Sequence, residues 1–127
     1  MTEVMTIRQM CDAYDVTPRT LRFYEAKELL FPIREGTKRL FTKRDRARLT
    51  LILRGKRFGF SLEEIRQLLD LYDAKNNATQ VERAVEIGRE RLEDMKSRRA
   101  ALDQAIEDLK EQIALGESRL AANTNAA

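Results

Sequence analysis

The groups able to do chemistry in this sequence are cations. In "VTPRTLRFYE", Val16 to Glu25, Arg19 and Arg22 follow a Thr-Pro start and lie on either side of Leu21. At helical spacing both guanidinium groups then share a face with Phe23 and Ala26, away from the apolar anchor Leu21. Thr17 suits the N-cap and Pro18 the first helical position, where a missing N–H costs nothing. The helix dipole and the backbone N–H groups from Thr17 to Arg19 favour a phosphate at that end. "IREGTKRLF" carries Arg34, Lys38 and Arg39 around Gly36, and "RGKRFGF" puts Lys56 and Arg57 on a helix break. Such clusters bind phosphate esters, and a hairpin tip bearing cations suits a minor groove or the phosphates beside it. The bland alternative, solvated arginines and a solubilising basic loop, stays open on these segments alone.

Other chemistries lack their groups. The chain has no histidine, so the commonest general base and metal ligand is missing. One cysteine, Cys11, permits neither an intrachain disulfide nor a cysteine-rich metal site. Five glycines, at 36, 55, 59, 88 and 116, match no phosphate-loop spacing. The carboxylates alternate with Lys and Arg as on a solvated face. No catalysis, cofactor or metal is expected.

A length of 127 residues allows one domain, or a small domain with an extended element. The net charge of +3 hides an asymmetry: residues 1–60 hold 14 Lys/Arg against 7 Asp/Glu, and residues 61–127 hold 10 against 14. A basic front and an acidic rear point to a polyanion partner for the first half only. No run approaches the ~20 apolar residues of a membrane span. "MTEVMTIRQM" lacks the layout of a signal peptide, so a cytoplasmic, nucleoid-associated location without membrane contact is expected.

The positioning elements follow from caps and periodicity. Thr6 with Gln9 forms a capping box for a short helix with Ile7, Met10, Cys11 and Tyr14 at helical spacing. "DVT" turns the chain, with Val16 beneath, into the helix begun at Thr17, and the pair reads as a helix-turn-helix. "LLFPIREGTKRLF" predicts a two-stranded wing, with positive φ at Gly36 and Pro32 confining the first strand to an edge. Thr42 with Asp45 caps a third helix containing Leu49, Leu51, Ile52 and Leu53. Ser61 with Glu64 caps a fourth, whose apolar face is Leu62, Ile65, Leu68, Leu69 and Tyr72. The expected layout is a DNA-binding unit at 1–72, a linker at 73–80, a coiled-coil helix at 81–120 and a flexible tail at 121–127.

Counted from Val81 in alternating steps of four and three, the heptad core sites are Val81, Val85, Gly88, Leu92, Met95, Arg99, Leu102, Ile106, Leu109, Ile113, Gly116 and Leu120. Nine of these twelve are apolar in four-three alternation, which is a coiled-coil seam. No turn folds the helix back on itself, so its partner is a second copy, and Val85, Leu92, Met95, Leu102, Ile106, Leu109 and Ile113 are the expected dimer contacts.

With these parts assembled, the chain resembles the MerR family of bacterial transcription regulators over nearly its whole length. The segments that carry the resemblance are "TIRQMCDAYDVTPRTLRFYEAKELLFPIREGTKRLF" and "RFGFSLEEIRQLL". It implies a mainly α-helical protein with a small β-hairpin wing, a winged helix-turn-helix followed by a long helix paired antiparallel across a two-fold axis. By the same resemblance Arg19 approaches base edges, while Arg22, Tyr24, Arg39 and Lys56 hold phosphates. The implied action is distortion of a promoter spacer at a palindromic element, reaching RNA polymerase only through the promoter. In an antiparallel pair Arg99 is expected to reach Glu93, Asp94 or Asp103.

The chain departs from the family pattern at Phe23, where a tyrosine is usual, and at Glu28, where a glycine precedes Leu-Leu. It departs again at Lys38 and Phe41, where aromatic and tyrosine residues are usual. Metal-sensing members carry cysteines at the end of the dimerisation helix, and this chain carries none there. Its small-molecule effector is unknown. "DLYDAKNNATQ" resembles short members that control branched-chain amino acid or acyl-CoA breakdown. Two other readings remain: an architectural DNA-binding dimer without an inducer, and a protein-interaction coiled coil with an incidental basic head.

Overall fold

A computed structural model describes residues 3–73 and 78–125. The elements run β1 (Met5–Thr6), α1 (Ile7–Tyr14), α2 (Pro18–Ala26), β2 (Ile33–Glu35), β3 (Lys38–Phe41), α3 (Lys43–Arg57), α4 (Leu62–Asp73) and α5 (Ala78–Asn125). The chain divides into two compact units, residues 1–84 and 85–127. No helix among the described residues is long and apolar enough to cross a membrane.

The first unit closes around Met10, Leu21, Tyr24, Leu29, Leu30, Phe41, Leu49, Ile52, Ile65 and Leu69, all essentially buried. The periodic positions of four helices and one strand thus share a single core. Tyr72 was expected on that core, but it is 55% exposed at the end of α4. Leu51 and Leu53 only border the core. Gly55, buried within α3, allows α4 to come close: a Cβ there would lie 3.0 Å from Ile65 Cγ1.

The helix starts follow the side chains that cap them. Thr6 and Gln9 cap α1 reciprocally, as Thr42 and Asp45 cap α3. Thr17 accepts from the Thr20 N–H with Pro18 at N1. Ser61 and Glu64 exchange bonds of 2.9 and 3.1 Å at the start of α4.

The sheet differs from the expected two-stranded wing. Its order is β1-β3-β2, with Met5 opposite Phe41, Thr6 opposite Leu40 and Ile33 opposite Leu40 across the other edge. A two-residue strand has no alternation to detect, so β1 exists only through its partner. Pro32 precedes β2 on an edge as expected, and Gly36 turns the hairpin at φ 60°.

Buried polar groups join these pieces. Asp45 accepts the Phe31 N–H at 2.9 Å in addition to capping α3. Arg48, 4% exposed, donates Nε to the Leu29 carbonyl at 2.7 Å, stacks over Phe31 and pairs with Asp73. Arg44 adds a second contact to Asp73 at 2.9 Å. An acid in the last turn of a helix opposes its dipole, and these two arginines offset that. Arg66 on α4 donates to the Lys27 carbonyl at the end of α2, and the Tyr14 hydroxyl donates to the Arg46 carbonyl at 3.3 Å.

Helix α5 begins at Ala78 and continues to Asn125, inside both the expected linker and the expected tail. Residues 74–77, the centre of that linker and of the stretch likened to catabolic regulators, lie outside the described residues, as do 126 and 127. At ~1.5 Å per residue the helix is about 72 Å long. Its heptad side chains are open to solvent, Leu102 and Leu109 at 61% and 60%. Asp94 is shared by Arg91 at 2.7 Å and Arg98 at 3.1 Å, so within one chain it is Arg98 rather than Arg99 that meets it.

Helices α2 and α3 end in the same motif. After α3, Gly59 (φ 82°) donates to the Lys56 carbonyl and Phe60 to that of Gly55, each at 3.0 Å. After α2, Glu28 (φ 59°) donates to Glu25 and Leu29 to Tyr24, each at 2.9 Å. These are Schellman caps, whose left-handed residue is ordinarily glycine. A side chain there costs ~1–2 kcal/mol, partly offset because glycine loses more freedom on folding. Glu28→Gly should therefore stabilise the protein by roughly 0.5–1 kcal/mol, a rise of several degrees in Tm by thermal melting. An unchanged or lower Tm would mean that the Glu28 side chain compensates its backbone.

Candidate nucleic-acid interface

Helix α2 exposes one face and buries the other. Leu21 and Tyr24 point into the core, and Arg19, Arg22 and Phe23 are exposed. An open concavity of about 380 Å³ lies beside it, with Arg19, Thr20, Phe23 and Tyr24 of α2 on one side and Lys56 of α3 on the other; Phe60, Leu62 and Ile65 complete the lining. The fold thus brings together Arg19 and Lys56 from opposite ends of the basic half. The wall is largely apolar, and the two cations are the groups that would face a phosphate ester.

The expected contacts are placed differently from one another. Thr17 uses its hydroxyl within the helix start, accepting from the Thr20 N–H at 3.2 Å and meeting the Thr20 hydroxyl at 3.0 Å. Tyr24 is 2% exposed, so its ring is first a core residue and only then a wall of the concavity. Its expected phosphate contact is the one most limited by burial. Phe23 tilts against Tyr24 and receives Lys27 Nζ at 5.7 Å from its ring centre. Arg22 is exposed on α2, Arg57 is exposed in the last turn of α3, and Lys38 is exposed opposite Glu35 at the hairpin tip.

Arg34 and Arg39 are not the isolated tip cations that the sequence suggests. They are opposite each other on β2 and β3, and both reach Glu25 of α2. Arg39 Nε is 2.5 Å from Glu25 Oε1, and Arg34 Nη1 is 3.1 Å from Oε2. Burial alone would raise the Glu25 pKa, but hydrogen bonds and charge from Arg39 and Arg34 prevail and hold it below the ordinary carboxylate range. Sequence reasoning passed over Glu25. Its one signal was an acid on an otherwise cationic helix followed by two wing arginines, and the pairing depends on a register the sequence does not state.

Among the described residues no three His, Cys, Asp or Glu side chains group to hold a metal ion. Cys11 is half-buried on α1, and burial pushes its thiol pKa up.

A helix-turn-helix with a hairpin wing and a shared cationic face defines a DNA-binding module of the winged type. The family model "MerR HTH family regulatory protein" matches residues 5–72, and "MerR, DNA binding" matches residues 46–112. The chain is 36% identical over 99 residues to the HTH-type transcriptional regulator ZntR of Escherichia coli K12, covering 76% of this chain and 69% of that protein. It is 33% identical over 102 residues to the mercuric resistance operon regulatory protein of Pseudomonas fluorescens, covering 79% and 68%. Among solved structures, a MerR family regulator from Bacillus cereus superposes with a TM-score of 0.67 at 29% identity, covering 87% of this chain and 82% of that one. The chain belongs to the MerR family of DNA-binding transcriptional regulators.

The lowered Glu25 pKa gives the first unit a pH dependence. A carboxylate with a depressed folded pKa contributes stability above its unfolded value and loses it as pH falls through the folded one. Acidification below the ordinary value of 4.5 should therefore weaken the wing's attachment, and Glu25→Gln should show a shallower fall of Tm over that range. Parallel profiles for the two proteins would show that Glu25 contributes no such linkage.

Proposed function

We propose that the protein acts as a homodimer on a palindromic promoter element in double-stranded DNA, as a regulator and not an enzyme. One α2 and one wing from each copy grip the duplex on either side of the dyad. The observation that carries this reading is the meeting of Arg19 and Lys56 at one concavity on an exposed helix face, with a second cationic cluster in the wing tied to the same helix through Glu25. HiNmlR, a MerR family regulator lacking the sensor domain, is described as bound to promoter DNA, and its fold matches at 23% identity and a TM-score of 0.67. Arg19 is the base-reading residue of the proposal, since an arginine can bond guanine O6 and N7 together. Arg22, Arg34, Lys38, Arg39, Lys56 and Arg57 are the backbone contacts, with Thr17 and Tyr24 supporting them.

The dimer is supported by the exposed heptad stripe of α5. Leucine, isoleucine and methionine side chains repeat along it with no partner in their own helix, and a second copy paired antiparallel would bury them. Pairing sets the separation of two DNA-binding units, as a palindrome requires. Backbone grips at both ends allow the intervening spacer to be bent or untwisted, so that RNA polymerase engages both promoter elements without touching this protein. The place of action is the cytoplasm, at the nucleoid.

The test is a gel shift with the palindrome upstream of the protein's own gene. Specific binding should exceed that to random duplex by ~10³-fold or more. Arg19→Ala should weaken the complex and relax base preference, whereas Arg22→Ala should weaken all sequences alike. Equal affinity for random DNA would instead make the protein an architectural binder, and no shift would leave only the coiled-coil reading. Replacing Leu102 and Ile106 together by Asp should give monomers in sedimentation that fail to hold the full palindrome. A dimer surviving that change would remove the α5 stripe as the interface.

A further inference from the structure

We infer that Glu25 is the positioning residue of the DNA grip. Its carboxylate fixes the two wing arginines, so that wing and α2 meet the phosphate backbone as one preformed surface. This inference depends on the DNA-binding reading above.

Arg34 and Arg39 face each other across β2 and β3, where like charges directly opposite repel. Left to themselves, the two side chains would splay into solvent. Glu25 enters from α2 between them, Oε1 2.5 Å from Arg39 Nε and Oε2 3.1 Å from Arg34 Nη1. Arg34 Nη1 also lies 3.5 Å from Oε1, so the carboxylate takes one guanidinium on each oxygen and partly shares the second. The Arg39 and Glu25 side chains are each 22% exposed, and Arg34 is 50% exposed. The contact is therefore partly sheltered at Arg39 and Glu25 and open to solvent at Arg34.

A guanidinium carries five N–H donors, and these bonds use Nε of Arg39 and Nη1 of Arg34. Donors remain on both groups for a phosphate while Glu25 holds the rest. Side chains ordered before binding lose less freedom when they bind, which is preorganisation. Glu25 also joins the wing to the helix that carries Arg19, so base reading and wing contact share one orientation.

Charge alone gives the opposite sign. Removing an acid near a polyanion should tighten binding, so the two accounts separate in one experiment. The full-length protein is titrated with the palindromic duplex at several salt concentrations, as wild type, Glu25→Gln and Glu35→Gln. Glu35 is exposed at the wing tip and serves as the charge control, where neutralisation should leave binding as tight as wild type or tighter. Glu25→Gln should bind about tenfold more weakly, with the salt dependence reduced by about one or two released ions as wing contacts are lost.

Wild-type or tighter binding by Glu25→Gln overturns the inference, as does weaker binding with an unchanged salt slope. If circular dichroism shows Glu25→Gln unfolded, Glu25→Asp decides, because it keeps the charge but withdraws it by one methylene. Weakening with a reduced slope then supports positioning, and wild-type affinity or an unchanged slope overturns it. A wild type that ignores the palindrome defeats the functional reading itself, whereas a wild type that binds beside unaffected variants defeats only the role of Glu25.

Discussion

Arg48 is buried where three segments of the first unit meet, and its guanidinium is the constraint that the rest of that unit obeys. It donates to the Leu29 carbonyl in the connection between α2 and the wing, covers the Phe31 ring, and pairs with Asp73 at the end of α4. A unit of this size closes only a small apolar core, which drives collapse without direction. A buried guanidinium is costly unless its donors are satisfied, and the arrangement in which Arg48 finds all these partners is therefore strongly selected. That arrangement sets where α2 ends and where the wing begins.

The acids of the basic half illustrate the same economy. Asp45 caps α3 and takes the Phe31 N–H, Glu25 separates Arg34 from Arg39, and Asp15 turns the chain after α1 in a left-handed conformation. Each is placed where a cation, a helix end or a tight turn requires it. Arg19, Arg22, Lys38, Lys56 and Arg57 are among the cations left exposed, and Arg34, half-exposed beside Glu25, keeps donors free. A basic surface is therefore compatible with a stable fold because the arginines that join its elements, Arg34, Arg39 and Arg48, are held by Glu25 and Asp73.

Much of the site was legible before any coordinates, because its signals are local. Thr17-Pro18, Thr42 with Asp45, and Ser61 with Glu64 marked helix starts by groups within one turn of each other. Gly36 marked the hairpin by the positive φ its turn needs. What escaped was long-range. The strand at Met5–Thr6 has no pattern of its own, Gly55 matters only because Ile65 approaches it, and Glu25 matters only because β2 and β3 align two arginines beneath it. Tyr24 is both a core residue and a wall of the concavity, a double placement that spacing alone does not reveal, while Tyr72, expected on the core face, is exposed.

By itself the sequence determined which segments are helical, where the first four helices start, that one half is cationic, and that α5 carries a heptad apolar stripe. These properties depend on capping, periodicity and composition, which act over a few residues. Only the tertiary structure decided which cations stand together. Arg19 joins Lys56 across two helices, while Arg34 and Arg39 are drawn to Glu25. Coulomb attraction falls with distance in space and takes no account of distance along the chain, so those partnerships became definite only once packing had placed the backbone.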